Sequence, residues 1–479
     1  MITNWTRELR YKKYSDWSNE YISELKERGS NSIWHSKYHI EPDFGLLNDP
    51  NGFSFFNYEY HLFYQYYPFG AVHGLKSWYH LTSKDLIHWE NKGIALKADT
   101  KYDSHGVYSG SALSIDEQLL LMYTGNVRNE QGERFAYQDA AWMDKNDKIK
   151  KEEVPLIKEP PTNCTSEFRD PQIMKIKDNY QVIIGSQTSD EHGKIAVYQG
   201  KELHSLHFTG FLNFTDNPTG FMIECPNLIE VNGQPVIIFC PQGLDHQILD
   251  YQNIYPNCYV IGQDLDWNNN TVKEPSSINN LDEGFDLYAS QVLKAPDGRS
   301  LSVGWINLPD LIYPNDQDDW TGSLSLIKEL TIKNKQLYQY PIAETKMLRQ
   351  KKIDFQNEQV GKNFELELTV PANQRTSLKL FKTDHNYLEI TINALNGIVT
   401  VDRSRTKFPL NKEFGEIRRS TVTAHQEIQL NIFVDNTICE IFINNGLKVQ
   451  TLRYFSEPDA NTIDLTGSYD QINVWELKK

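Results

Sequence analysis

The chain reads as an all-β protein, a five-bladed β-propeller followed by a C-terminal β-sandwich, with a short helical segment in front. Three observations predict this. Apolar β-forming segments recur about every 60 residues, at starts 60, 119, 180, 236 and 301. A short polar motif precedes each of these segments. After about residue 345 the repeat stops and simple strand alternation takes over. A period of this length, with several strands per unit, is the sequence signature of a propeller.

Taken in order, residues 14–28 predict one helix, with Trp17, Tyr21, Ile22 and Leu25 on one face and Gly29-Ser30 closing it. We assign 1–32 to this N-terminal helical segment, 33–345 to the propeller and 353–479 to the sandwich. The recurring strands are Tyr60–Tyr64, Leu119–Tyr123, Tyr180–Ile184, Val236–Phe239 and Leu301–Trp305. Ser83–Trp89 resembles Gly200–Leu206, as outer-strand segments of two blades would. The sandwich is read from alternating runs such as Phe364–Leu368, Tyr387–Ile392, Ile428–Phe433 and Ile438–Ile443.

Composition narrows the function. With 479 residues, 39 % apolar and 12 % aromatic, the chain is long enough for more than one domain and a large core. A net charge of −16 argues against a nucleic-acid partner, which needs a basic footprint. Met1–Arg7 lacks the apolar core of a secretory signal, and no run approaches the roughly 18 apolar residues of a membrane span. Cys164, Cys225, Cys240, Cys258 and Cys439 lack metal-ligand spacing, so no metal is expected. A reduced, cytoplasmic protein fits these features.

The motifs before the repeated strands are Asn48-Asp49-Pro50-Asn51-Gly52, Tyr108-Ser109-Gly110-Ser111, Phe168-Arg169-Asp170-Pro171, Glu224-Cys225-Pro226-Asn227 and Asp286-Leu287-Tyr288-Ala289. Pro50 and Gly52 predict a tight turn at the first. Asp49, Asp170 and Glu224 precede their strand markers by 11, 10 and 12 residues (60 less 49, 180 less 170, 236 less 224). In a propeller that spacing delivers all three acids to matching positions at one end of the central channel. An acid at a strand start is usually structural; three in separate blades point to a site.

Paired carboxyl groups in opposite protonation states are what glycoside hydrolysis uses. Arg169, next to Asp170, is expected to hold that carboxylate ionised, leaving it to accept sugar hydroxyls. Glu224, among apolar neighbours, is expected to keep a proton as general acid, with Asp49 as nucleophile. Asn48 offers an amide to the same sugar. Gln65 and the ring of Trp78 offer an amide and a stacking face, against the plainer readings of a strand polar residue and a core tryptophan.

These motifs, in this order, resemble those of family 32 glycoside hydrolases, the invertase and fructan-hydrolase family. Phe433-Val434-Asp435-Asn436 and Glu440-Ile441-Phe442 resemble its C-terminal sandwich. The resemblance implies a retaining double displacement on a β-fructofuranoside, with Asp49 attacking, Glu224 as acid/base and Asp170 stabilising the transition state. It implies sugar contacts at Asn48, Gln65, Ser109, Arg169 and Tyr288, with Tyr108 in place of a pocket aromatic, and no metal or organic cofactor. The N-terminal helix and Phe69–Lys76 resemble the bacterial branch of the family that acts on sucrose 6-phosphate. His73 or Lys76 could then meet the phosphate, although a solvated loop lysine is the commoner case. Ser77-Trp78-Tyr79-His80 departs from the family's usual Trp-Gly-His and places Tyr79 beside the pocket. A fructo-oligosaccharide hydrolase, a fructosyltransferase and a non-catalytic fructan-binding propeller are the alternative readings.

Overall fold

A computed structural model describes residues 2–355 and 359–478. Five antiparallel sheets stand around one axis, one for each repeat read from the sequence. Their innermost strands are Gly45–Phe56, Val107–Ile115, Cys164–Ile176, Met222–Val231 and Leu287–Lys294, and each adjoins the next in a closed cycle. The second strands, Glu59–Tyr67, Gln118–Arg128, Asn179–Thr188, Gln234–Gln242 and Ser300–Ile306, contain the five repeated segments. Apolar side chains fill the gap between each pair of sheets. Leu120, Met122, Phe168 and Ile184 do so between the second and third, and Ile183, Val197, Ile223 and Phe239 between the third and fourth.

The ring closes late in the chain. Trp320–Thr321 pairs in parallel with Gly45 and Leu46, and Ile40 bridges to Leu324.

The expected turn at Asp49 is instead part of the continuous strand Gly45–Phe56. The chain reverses later, at Asn57 and Tyr58, both with positive φ. Pro50 and Gly52 sit beside two register shifts, where a strand tolerates them. Gly52 has a φ of 55°, and a Cβ there would lie 2.7 Å from the Phe63 ring.

The helix also differs from expectation. Tyr14–Asp16 is a 3₁₀ turn, and the α-helix runs Asn19–Ser30, capped by Ser18, whose hydroxyl accepts from Tyr21 N–H at 3.2 Å. Gly29 lies inside it because Asp43 O would be 2.5 Å from any Cβ. A further short helix, Arg7–Arg10, precedes it. Trp17 stacks on Tyr21 and Phe69, and Tyr14 and Tyr21 donate to the carbonyls of Leu75 and Phe69. The N-terminal segment therefore packs on the 69–76 loop. Ser83–Trp89 and Gly200–Leu206 are equivalent, but as connections between third and fourth strands rather than as strands.

The C-terminal region is two facing sheets. One carries Arg349–Ile353, Gln471–Leu477, Asn363–Val370, Ile428–Asp435, Ile438–Ile443 and Lys448–Arg453; the other carries Ile417–Thr421, Ile398–Asp402, Leu388–Asn393, Arg375–Lys382 and Thr462–Gly467. Leu366, Leu378, Ile390, Val401, Ile432 and Ile441 fill the space between them. This sandwich grips the propeller. The amides of Glu283 and Phe285 donate to the edge-strand carbonyls of Val449 and Thr451, and Lys37, Tyr38 and His39 donate theirs to Asp435.

Candidate active site

Every innermost strand breaks register at the same level. The breaks fall at Asn48–Asp49, Tyr108–Ser109, Asp170–Pro171, Cys225–Pro226 and Ala289–Ser290. Each places two residues opposite one, a bulge that re-aims side chains toward the axis. Asp170, Cys225 and Ala289 take positive φ at 67°, 49° and 49°. Such backbone is costly away from glycine and clusters at functional sites. Pro171 and Pro226 fit because the ladder needs no N–H there.

The bulges stack the motif residues in tiers. Asn48, Tyr108, Arg169, Glu224 and Tyr288 form one tier, and Asp49, Ser109, Asp170, Cys225 and Ala289 the next. The matching-position expectation is thus corrected by one residue. Asp49 and Asp170 are equivalent, whereas Glu224 stands one residue earlier and Cys225 fills its place. The Cys225 thiol lies 3.9 Å from Asp49 Oδ2 and 3.6 Å from Asp170 Oδ2, and its N–H donates to Asp170 at 2.9 Å.

A third tier lies beneath, and the sequence reading missed it. Asn51, Ser111, Gln172, Asn227 and Gln291 each follow the acid tier by two residues. Asn51 accepts from Gly110 N–H, and Ser111 accepts from Ile173 N–H. Gln172 pairs with both Leu228 N–H and its carbonyl, Asn227 donates to Ser290 O, and Gln291 accepts from Phe53 N–H. The belt stitches all five strands to one another and sets the height of the acids. A polar residue at one offset in all five motifs was the signal for it.

Two polar groups hold the acids. Asn48 Nδ2 donates to Asp49 Oδ1 at 3.0 Å and to Gln65 Oε1 at 2.9 Å, while Gln65 and Asp49 both bond Ser109 Oγ. Across the axis, Glu224 accepts from Arg169 Nε at 2.9 Å, Gln242 Nε2 at 2.9 Å and Tyr288 OH at 2.8 Å. Gln242, in the second strand of its sheet, had no sequence signal.

The expectation that Arg169 holds Asp170 ionised is corrected here. The guanidinium bonds Glu224 and Glu167, because alternation along the strand turns Arg169 away from its neighbour. Asp170 is pushed up to about 7, first by burial and then by the Glu224 charge, with Arg169 and the Cys225 N–H opposing.

The remaining candidates divide. Tyr108 is partly buried and Lys76 lies 7 % exposed, its amine 5.6 Å from the Tyr108 ring. Burial lowers Lys76 to about 8, with Asp49, Glu224 and Asp170 opposing. It is therefore no solvated loop lysine. His73 is held well below the ordinary histidine range by burial and by Lys76 and Arg10, and its ring meets Trp305 edge-on at 6.2 Å. Trp78 is fully buried between Phe63 and Tyr123 and donates to Tyr108 O at 2.9 Å; it offers no face to a sugar. Tyr79 stacks on Tyr64 and meets Tyr66 edge-on, on the strand face opposite Trp78.

A propeller with carboxyl groups from three sheets gathered on its axis has the architecture of a glycoside-cleaving hydrolase. Comparison with known proteins names the group. Residues 39–341 match the N-terminal domain of glycosyl hydrolases family 32 and residues 330–476 its C-terminal domain, and the chain belongs to that family. A sucrose-6-phosphate hydrolase of Streptococcus mutans is 45 % identical over 480 residues, covering 99 % of this chain and all of that one (100 %). One from Pediococcus pentosaceus is 43 % identical, over 99 % of this chain and 97 % of its own. The solved sucrose-6-phosphate hydrolase of Lactobacillus gasseri superposes with a TM-score of 0.95 at 42 % identity, covering 99 % of both chains.

Proposed function

We propose that this enzyme hydrolyses the β-fructofuranosidic bond of sucrose 6-phosphate and of sucrose, releasing fructose and glucose 6-phosphate or glucose. The observation that carries the reading is the convergence of Asp49, Asp170 and Glu224, from three separate sheets, at bulges of one level. The names of the similar hydrolases support the substrate.

In this reading Asp49 Oδ attacks the fructosyl anomeric carbon as its bond to the leaving oxygen breaks, and Glu224 gives that oxygen a proton. Asn48 and Ser109 aim Asp49, and Arg169, Gln242 and Tyr288 aim Glu224. Asp170 accepts from fructose hydroxyls and favours the positive charge that develops on the ring. In the second half Glu224 takes a proton from water, whose oxygen attacks the same carbon and frees Asp49. Gln65 and Tyr288 complete the fructose contacts. We place the reaction in the cytoplasm, where thiols stay reduced; the five cysteines are all free.

Replacing Asp49 by Asn or Glu224 by Gln tests it. Each change removes a reacting group and is expected to lower kcat by about 1,000-fold with the melting temperature retained. Near-normal fructose release from either purified variant refutes the assignment.

A further inference from the structure

The leaving half of the substrate must lie on the Glu224 side, because Glu224 protonates the departing oxygen. A chain of charged side chains runs outward from there. Glu224 bonds Arg169, Arg169 bonds Glu167, and Glu167 accepts from Arg134 Nη1 at 2.8 Å. The Arg134 guanidinium then stands 5.5 Å from the Tyr108 ring, and the Lys76 amine 5.6 Å from the same ring. Arg128 adds a third positive charge beside Tyr108.

Two of these cations are enclosed. Lys76 is 7 % exposed and the Arg134 side chain 11 %. Arg134 spends Nε on Asn126 and Nη1 on Glu167, which orients the rest of its fork. Lys76 Nζ donates to no acceptor among the described residues. Its stem is buried while the amine stays open to meet an anion.

The position of Lys76 is built in. It ends the 69–76 loop, which Arg10 holds through His73 O at 3.0 Å and through its own carbonyl to Leu75 N–H at 2.7 Å. The Lys76 carbonyl accepts from Val107 N–H, next to Tyr108.

We propose that Lys76 and Arg134, grouped at the Tyr108 ring, form the anion site that receives the 6-phosphate of the leaving glucosyl group. Arg134 offers a planar fork to two phosphate oxygens and Lys76 a point charge to a third. The inference rests on the proposed function and adds residues to its outer half. Phosphate preference then comes from the second sheet and the N-terminal brace, apart from the reacting acids.

The test compares kcat/KM for sucrose 6-phosphate and for sucrose in the parent, Arg134→Gln, Lys76→Met and Arg134→Lys, each checked for an unchanged melting curve. Calorimetric titration with glucose 6-phosphate runs beside it, independent of turnover. Loss of one charge-assisted contact is expected to lower the ratio of the two kcat/KM values by about 30-fold in Arg134→Gln and Lys76→Met. Arg134→Lys, keeping charge without the fork, should recover part of it. A ratio within threefold of the parent in both neutral variants overturns the site while leaving the hydrolase reading intact. Fructose release from neither sugar by the parent overturns the hydrolase reading. In that case glucose 6-phosphate binding that weakens in Arg134→Gln still sustains the anion site, and unchanged binding overturns it. Should Arg134→Gln fail to fold, Lys76→Met decides, since its amine carries no protein hydrogen bond.

Discussion

The propeller axis and the domain interface both bury carboxyl groups, and they treat them in opposite ways. At the interface Asp435 and Asp286 are met by donors on several sides. Asp435 accepts from the N–H groups of Lys37, Tyr38 and His39, the His39 ring and the Asn363 amide. Asp286 accepts from Tyr313 OH, Arg403 and Arg453 N–H. On the axis three acids stand together, and Asp170 is driven up to about 7. Matched charge glues two domains, whereas crowded charge marks a site.

The sharpest way to break this contrast is to cross the two regions. Asp435→Ala leaves His39 Nδ1 and three backbone N–H groups without their acceptor at a buried interface and is expected to cost on the order of 3–5 kcal/mol. The folded fraction should keep its kcat. Asp49→Asn should do the reverse, losing turnover while melting at or above the parent temperature, since one like charge is gone. Chemical denaturation and single-temperature rates read both. Equal melting of Asp435→Ala and the parent would dissolve the comparison.

A middle-sized effect follows from pH. His39 is raised to about 9 by Asp435 and Glu440, which outweigh burial. Its contribution to stability is therefore complete below its unfolded value near 6.5 and fades as pH rises through about 9. Asp435 is lowered by His39 and by the N–H groups of Lys37 and Tyr38, which outweigh burial, so its share is present above the ordinary aspartate range and is lost in acid. Asp170 has the opposite sign to Asp435. Raised to about 7, it lets the folded state hold an extra proton, so its share falls as pH climbs from about 4 to 7. Melting curves from pH 4 to 10 should lose their alkaline decline in His39→Gln and their fall between pH 4 and 7 in Asp170→Asn.

The smallest expected change is at Gln242. Its amide is one of several donors to Glu224, so Gln242→Ala should lower kcat about tenfold with little effect on stability. An unchanged pH–rate profile and kcat would remove Gln242 from the site.

Much of this was legible because repetition is legible. Residues 60 apart that share a pattern share a place in the fold, and three acids on that pattern must meet. Single residues carried less. Trp78 has the same composition whether it stacks on a sugar or fills a core, and only the Phe63 and Tyr123 rings decide. Asp49-Pro50-Asn51-Gly52 reads as a turn by local propensity, yet the ladder to Glu59–Tyr67 absorbs it as bulges. Arg169 and Asp170 are neighbours in sequence but face different partners. Gln242 was invisible because a second-strand glutamine has no pattern of its own.

The strand that carries Asp49 waits for partners made much later. Gly45 and Leu46 pair with Trp320 and Thr321, and Lys37 to His39 hang on Asp435. During synthesis from the N-terminus the nucleophile's strand emerges long before either partner. A nascent chain can thus assemble second, third and fourth sheets while the first remains without its neighbour. The ring around the sugar pocket closes only when Trp320 and Thr321 have left the ribosome, so a product truncated before them carries all three acids without that closure.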